Sequence, residues 1–292
     1  MDAVTVRVPA TSANLACGFD VLGVAFSLYN TLRFTRAETL CFTGCDPAFQ
    51  NADNLAWQAF CALYRRLGRT PPPVRIDIQA EIPVCRGLGS SAALLAAGVL
   101  AANALSGAEL SKQTLLEIVT PLEGHPDNLT PALYGGLTAA VTDGERVCTA
   151  QLAVAEALRF VVLSPDYTLP TSAARAALPK TVPFGDAVYN LSRLALLPKA
   201  FADGDTELLA LCLSDRLHQP YRRPLIPGID EVQAAAAALG CRAFCVSGAG
   251  PSLLCVSDDV SFAPRLAEAV RPFPHGWAVR DLRIDPCGAA VV

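Results

Sequence analysis

The stretch Pro83-Val84-Cys85-Arg86-Gly87-Leu88-Gly89-Ser90-Ser91-Ala92-Ala93 sets two glycines and two serines directly before an Ala/Leu-rich run. Glycines let backbone N–H groups approach an anion, and a helix opening at the serines adds the positive end of its dipole, so these residues suit a phosphate cradle. The stretch is not a Walker A loop, which needs a lysine; the only lysines are Lys112, Lys180 and Lys199. Nor does it keep the G-x-G-x-x-G spacing. A glycine-rich helix start without a ligand fits the same residues, so the weight falls on what accompanies it.

Three further clusters carry polar chemistry. Leu122-Glu123-Gly124-His125-Pro126-Asp127-Asn128 gathers two carboxylates, an imidazole and an amide. Carboxylates can hold Mg²⁺ while His and Asn orient a polar substrate, although an Asx-type turn with a surface His reads equally from the same letters. The N-terminal run Ala10 to Asp20 places Asn14 and Asp20 on either side of Gly18, as ligands or as turn formers. Val246-Ser247-Gly248-Ala249-Gly250-Pro251-Ser252 is a second glycine-rich turn that needs no function to exist. Arg175 and Arg222, two of twenty arginines, can clamp a carboxylate through paired N–H donors.

These clusters must be positioned by an α+β mixture. Alternation predicts a strand at Val4–Val8 that stops at Pro9, then a loop over residues 10–20, and strand-like residues near 24–26 and 31–34. Helical spacing covers Asn54 to Leu67, closed by Gly68, and Val74–Ile78 alternates strictly as a strand. The Ala/Leu run of 92–105 and a segment capped by Ser111 and ending before Pro121 read as helices. Residues 135–141 and 160–163 read as strands, with a boundary near residue 155. The second half carries helices around 170–178, 186–202, 205–217 and 230–239, and strands near 242–247 and 252–256.

Composition narrows the function classes. The 292 residues are 52% hydrophobic and 17% charged, enough to fill one large or two moderate cores, and disorder is excluded. Net charge is −4, and no Lys/Arg run offers a nucleic-acid footprint. The longest apolar stretch, Ala92 to Leu105, is too short to span a bilayer, which needs about 20 residues. The opening Met1-Asp2-Ala3-Val4 lacks the basic start and apolar run of a secretory leader. Eleven cysteines, mostly among apolar neighbours and without a C-x-x-C, read as reduced core fillers of a cytoplasmic protein. The pairs Cys41/Cys45 and Cys241/Cys245 have no nearby histidine to complete a zinc set.

Taken in order, the clusters resemble the GHMP kinase superfamily, and within it the homoserine kinase family. The phosphate motif P-x-x-x-G-L-G-S-S-A runs without a gap from Pro83 to Ala92, and A-T-S-A-N-L-x-x-G-F-D-x-L-G runs from Ala10 to Gly23. E-G-H-P-D-N stands at 123–128 and S-G-A-G-P-S at 247–252. The resemblance implies a two-domain fold, with a βαβ-type nucleotide-binding domain at 1–155 and a ferredoxin-like domain at 156–292. It implies ATP-dependent phosphorylation of L-homoserine to O-phospho-L-homoserine on the route to threonine, in a cytoplasmic homodimer.

Carried over by position, Pro83 to Ala93 would wrap the triphosphate of ATP and Asn54 would lie near its base. Ser90 and Glu123 would hold Mg²⁺, with Ser91 beside them and Glu117 in reserve. Asn14, Asp20, His125 and Asn128 would hold the amino and hydroxyl groups of the acceptor, with Gly248 alongside, and Arg175 and Arg222 its carboxylate. Asp20 would orient the hydroxyl or accept its proton. Ala16-Cys17 stands where the family has Gly-Pro, which touches loop stiffness more than chemistry. Another small-molecule kinase of the superfamily, or a non-catalytic binding member, is the competing reading.

Overall fold

Strand alternation opens the chain and runs further than the letters suggest. The computed structural model describes residues 2–292, so Met1 of the leader reading lies outside the described residues. β1 (Ala3–Ala13) buries Val4, Val6 and Val8 and does not stop at Pro9. Its register against β2 (Leu22–Arg36) slips between Pro9 and Ala10, a bulge of the kind that admits proline, and pairing resumes through Ala13. The expected loop is thereby shortened to the residues after 13.

There follow β3 (Cys41–Thr43), α1 (Leu55–Arg66), β4 (Val74–Ala80), α2 (Ser90–Ser106), α3 (Lys112–Glu123), α4 (Leu129–Tyr134), β5 (Leu137–Asp143) and β6 (Arg146–Leu152). The long β2 serves two partners, pairing through Asn30–Arg36 with β4 and through Leu22–Val24 with β5, which carries β6. α2 is apolar on nearly every side because it is a core helix rather than a membrane span. Its Gly98 lets α1 close in: a Cβ there would lie 2.0 Å from the Ala56 carbonyl oxygen. α3 does not end before Pro121 but takes it into its last turn, and so sets Glu123 at its final position before Gly124. Proline at that point removes only the bond to the Glu117 carbonyl.

The second half builds β7 (Arg159–Ser164), α5 (Thr171–Ala176), α6 (Phe184–Asp203), α7 (Thr206–Cys212), α8 (Gln219–Arg222), α9 (Ile229–Ala238), β8 (Ala243–Val246), β9 (Leu253–Ser257), α10 (Phe262–Val270) and β10 (Ala278–Leu282). Its four strands are antiparallel in the order β10-β7-β9-β8, the split βαβ plan of a ferredoxin-like unit. The helix expected over 205–217 stops at Cys212. Downstream, the Asp215 carboxylate accepts from the N–H groups of Leu217, His218 and Gln219 and starts α8 instead.

β7 shows how the halves join. Phe160 and Val162 face a core shared with the first sheet, while Val161 and Leu163 face a second core with Val232, Phe262 and Leu266, as a period of two requires. Phe160 meets Phe26 of β2 at 5.4 Å and Phe201 of α6 at 6.2 Å between ring centroids. The chain then returns to the first sheet: Ser27 N–H bonds the Arg283 carbonyl, Ala289 N–H bonds the Ala132 carbonyl, and β11 (Ala290–Val291) pairs with β1. Among the described residues no helix is long and apolar enough to cross a membrane. All eleven cysteines are free thiols.

Candidate active site

A cavity of about 500 Å³ opens between the two halves. Asn14, Asp20, Asn54, the loop from Val84 to Ser91, Glu123, His125, Asn128, Arg175, Arg222 and Gly248 all line it, so the structure brings nearly every residue singled out from sequence to one place. Pro83, Ala92 and Ala93 do not line it; both alanines are buried in the first turn of α2.

The phosphate loop is held open from behind. Gly87 and Gly89 adopt φ of +70° and +68°, and a Cβ on Gly89 would lie 1.9 Å from Thr11 Oγ1. As the N-cap of α2, Gly89 has no side-chain oxygen to occupy the helix's leading N–H groups, which are left for an anion. The loop is pinned elsewhere: Thr11 N–H bonds the Leu88 carbonyl at 3.2 Å, and Leu169 N–H bonds the Cys85 carbonyl at 3.0 Å. The buried Ser247 hydroxyl bridges the Gly87 carbonyl at 2.6 Å and the Ser12 hydroxyl at 2.8 Å.

Glu123 is met by Ser91, whose hydroxyl donates to Oε2 at 2.5 Å. The family resemblance pairs Glu123 with Ser90 as Mg²⁺ ligands; in the structure it is the next serine that turns toward the carboxylate. Glu117 lies outside the cavity, accepting from Gln113 Nε2 at 2.7 Å and from the Val147 N–H at 3.5 Å. Burial pushes the Glu123 carboxyl above its usual range, against the opposing pull of the Ser91 hydrogen bond and of His125. Among the described residues no lysine or arginine pairs with it. A desolvated carboxylate and a hydroxyl, both hard oxygen donors, fit a divalent cation.

The loop after β1 takes left-handed backbone at Asn14, Leu15, Ala16 and Asp20. Asn14 fixes it by donating to the Gly248 carbonyl at 2.8 Å and accepting from the Asp20 N–H at 3.0 Å. Asp20 is paired with Arg175. His125 Nδ1 is bonded to Asp127 Oδ1. Burial works against a charged His125, but Asp127, with Glu123 and Asp20, outweighs it and raises the ring's pKa. Asn128 is held by Thr11 Oγ1 at 2.8 Å. Arg222 is fully buried, with Nη1 on the Gly248 carbonyl at 3.1 Å and Nε on the Ala174 carbonyl at 3.4 Å. Burial and the nearby Arg175 lower its pKa.

Two residues quoted within motifs but not singled out prove to line the cavity. Asp127 is buried, with Oδ2 left without a partner, and its spacing two residues after His125 was the available signal. Ala249 follows Gly248 in the second glycine turn. Asn54 lines the cavity. It is also the N-cap of α1, with Oδ1 accepting from the Ala56 N–H and Nδ2 donating to the Phe49 carbonyl, which fixes the amide while leaving one N–H to spare. The apolar side chains of Phe49, Leu55, Ile78 and Leu94 line the cavity with it.

Comparison with known proteins finds relatives of the whole chain. Residues 54–136 match the model of the GHMP kinases N terminal domain, and residues 197–274 that of GHMP kinases C terminal. A homoserine kinase of Clostridium botulinum is 40% identical over 99% of this chain and 98% of its own. One from Gloeobacter violaceus is 46% identical over 90% and 91%. The crystal structure of homoserine kinase from Cytophaga hutchinsonii superposes with a TM-score of 0.88 at 28% identity, covering 100% of this chain and 98% of that one. A more distant likeness, of fold alone, is to L. major mevalonate kinase, with a TM-score of 0.72 at 13% identity over 98% of this chain and 96% of that one. With both domain models matched and relatives at 40% and 46% identity along nearly their whole length, this chain belongs to the homoserine kinase family of the GHMP kinases.

Proposed function

We propose that this protein transfers the γ-phosphoryl group of ATP to the side-chain hydroxyl of L-homoserine, giving O-phospho-L-homoserine on the route to threonine. The observation that carries the reading is one cavity lined both by the loop at the uncapped N-terminus of α2 and by Asp20, Arg175 and Arg222. A phosphate donor and a zwitterionic acceptor can thus be held face to face.

Phosphoryl transfer through a loose transition state asks mainly for alignment and charge neutralisation. The N–H groups of the phosphate loop bind the triphosphate, and the apolar side chains of Phe49, Ile78 and Leu94 take the base. Ser91 and Glu123, with Ser90 beside them, would hold Mg²⁺, which when bound neutralises charge on the phosphates. Asp20 orients the acceptor hydroxyl, His125 and Asp127 with Asn14 and Asn128 surround its polar groups, and Arg175 and Arg222 bind its carboxylate. A domain boundary near residue 155, with the ATP-binding domain before it and the ferredoxin-like domain after it, belongs to the same reading, the acceptor being held by residues of both.

The reading extends to a cytoplasmic homodimer. Phe184, Val188 and Leu191 are exposed at helical spacing along one face of α6, an apolar stripe that a second copy can cover. The deciding experiment is a coupled ADP-release assay with homoserine, serine, threonine, mevalonate and galactose. Release with homoserine well above the others is the expected result. Preference for another acceptor would make this a different kinase of the superfamily, and no release with any would make it a binding module.

A further inference from the structure

α8 is only four residues long, too short to fix the guanidinium of Arg222 at its last position. Besides the Gly248 and Ala174 carbonyls, support comes from His218, the residue just before α8. His218 is completely buried. Its Nε2 lies 2.8 Å from the Ala16 carbonyl oxygen, which has lone pairs and no proton, so Nε2 carries the hydrogen. Nδ1 is then an acceptor, and Arg222 Nη1 reaches it at 3.3 Å. The ring stacks on Phe19 at 5.1 Å, and the same Phe19 ring lies 5.2 Å from the Arg222 guanidinium carbon and 5.6 Å from that of Arg175. Asp215 anchors the His218 backbone at 2.8 Å, while its carboxylate stands 3.7 Å from Nε2, outside hydrogen-bond reach.

We propose that His218, as the neutral Nε2–H tautomer, is the positioning residue of the acceptor clamp, tying the Asn14–Asp20 loop to the Arg222 guanidinium through one donor and one acceptor. The inference rests on Arg222 binding the acceptor carboxylate. Without His218 the loop that presents Asn14 and Asp20 and the helix that presents Arg222 would lose a shared fixed point, and a guanidinium misplaced by a fraction of an ångström binds a carboxylate poorly. Burial holds the ring neutral, Arg222 acts in the same direction, and Asp215 and the more distant Asp20 oppose it. A proton on Nδ1 would face the Arg222 N–H donor to donor.

The test uses the full chain and two variants. His218→Phe keeps the ring stacked on Phe19 and removes both polar contacts, while His218→Gln restores one donor and one acceptor. His218→Phe should raise the homoserine KM roughly 10- to 100-fold, the range for losing a hydrogen bond to a charged group, with the ATP KM within about twofold. The advantage of homoserine over 3-aminopropan-1-ol, which lacks the carboxylate, should shrink in parallel. His218→Gln should recover most of both. Long-range ¹H–¹⁵N spectra of the wild-type protein should show Nε2 protonated and Nδ1 bare.

An Nδ1–H tautomer, an imidazolium signal, an unchanged homoserine KM in folded His218→Phe, equal rises in both KM values, or no recovery with Gln would each overturn the proposal. Should His218→Phe fail to fold, the wild-type tautomer and the Gln variant decide. A wild-type protein that releases no ADP with homoserine overturns both this inference and the functional reading. Wild-type turnover that discriminates against 3-aminopropan-1-ol but is insensitive to His218 overturns only the inference.

Discussion

The Arg175 guanidinium grips the Asp20 carboxylate with both terminal nitrogens, Nη1 on Oδ2 at 3.0 Å and Nη2 on Oδ1 at 2.9 Å. The two groups assigned to opposite ends of the acceptor therefore satisfy each other's charge. Both remain partly exposed, at 43% and 32%, so the pair adds little to folding, whereas Arg222 is buried under the clamp. Arg175→Leu should raise the homoserine KM with little change in Tm. Arg222→Leu should raise it by roughly 30-fold or more and lower Tm as well, because buried carbonyls lose their donor. Kinetics with both substrates and a thermal melt separate the two, and an equal rise in the ATP KM for either would reject the clamp.

Asp20→Asn tests whether this residue orients the hydroxyl or accepts its proton. An orienting role leaves a loss in kcat below about 100-fold, since a general base is worth roughly 10²–10⁴. Loss of all turnover with homoserine affinity intact would assign it the proton.

Ser91 and Ser90 are adjacent, yet only Ser91 donates to Glu123. Ser91→Ala should demand more Mg²⁺ for half-maximal rate than Ser90→Ala does. A Mg²⁺ titration at fixed ATP reads the difference, and the reverse order would return the role to Ser90.

Gly89→Ala places a Cβ into Thr11 Oγ1 at a backbone angle that L-residues avoid. Left-handed strain alone costs about 1–3 kcal/mol. Lower Tm and a raised ATP KM are expected together; wild-type values for both would mean the loop has room to shift.

Acid stability carries the signature of His218. Its folded pKa is lowered by burial, so below the ordinary value of 6.5 the unfolded chain takes up a proton that the folded chain refuses. Stability is therefore lost as pH falls through that value. His125, raised by Asp127, acts in the opposite sense, stabilising below 6.5 and losing that contribution as pH rises. The difference between wild type and His218→Gln isolates the first effect: the variant should show a shallower decline on the acid side in denaturant titrations.

The site was legible wherever its signals are local. Glycines before an Ala/Leu run, strict alternation at Val74–Ile78 and the Glu123–Asn128 hexapeptide each need only neighbouring letters. Which serine meets Glu123 was not legible, because adjacent positions on a helix point about 100° apart and the partner comes from another helix. The Asp20–Arg175 and His218–Ala16 contacts join segments 155 and 202 residues apart, and no spacing rule reaches that far. Among the elements, β6 is mostly exposed and so shows no hydrophobic alternation, and β3 and β11 have only three and two residues. α4 spans six residues with Pro131 inside, and α10 and β10 also escaped the reading.

The Ser12–Ser247–Gly87 knot has a consequence for motion. The Gly248 amide donates to the Ala13 carbonyl and the Thr11 amide to the Leu88 carbonyl on either side of it. Three distant segments thus share one buried seam, and none can loosen without the others. In hydrogen exchange these amides should behave as one cooperative unit, opening with the whole molecule rather than with the surrounding loops. A nucleotide then meets a cradle that is already rigid, and its binding spends little entropy on ordering the loop.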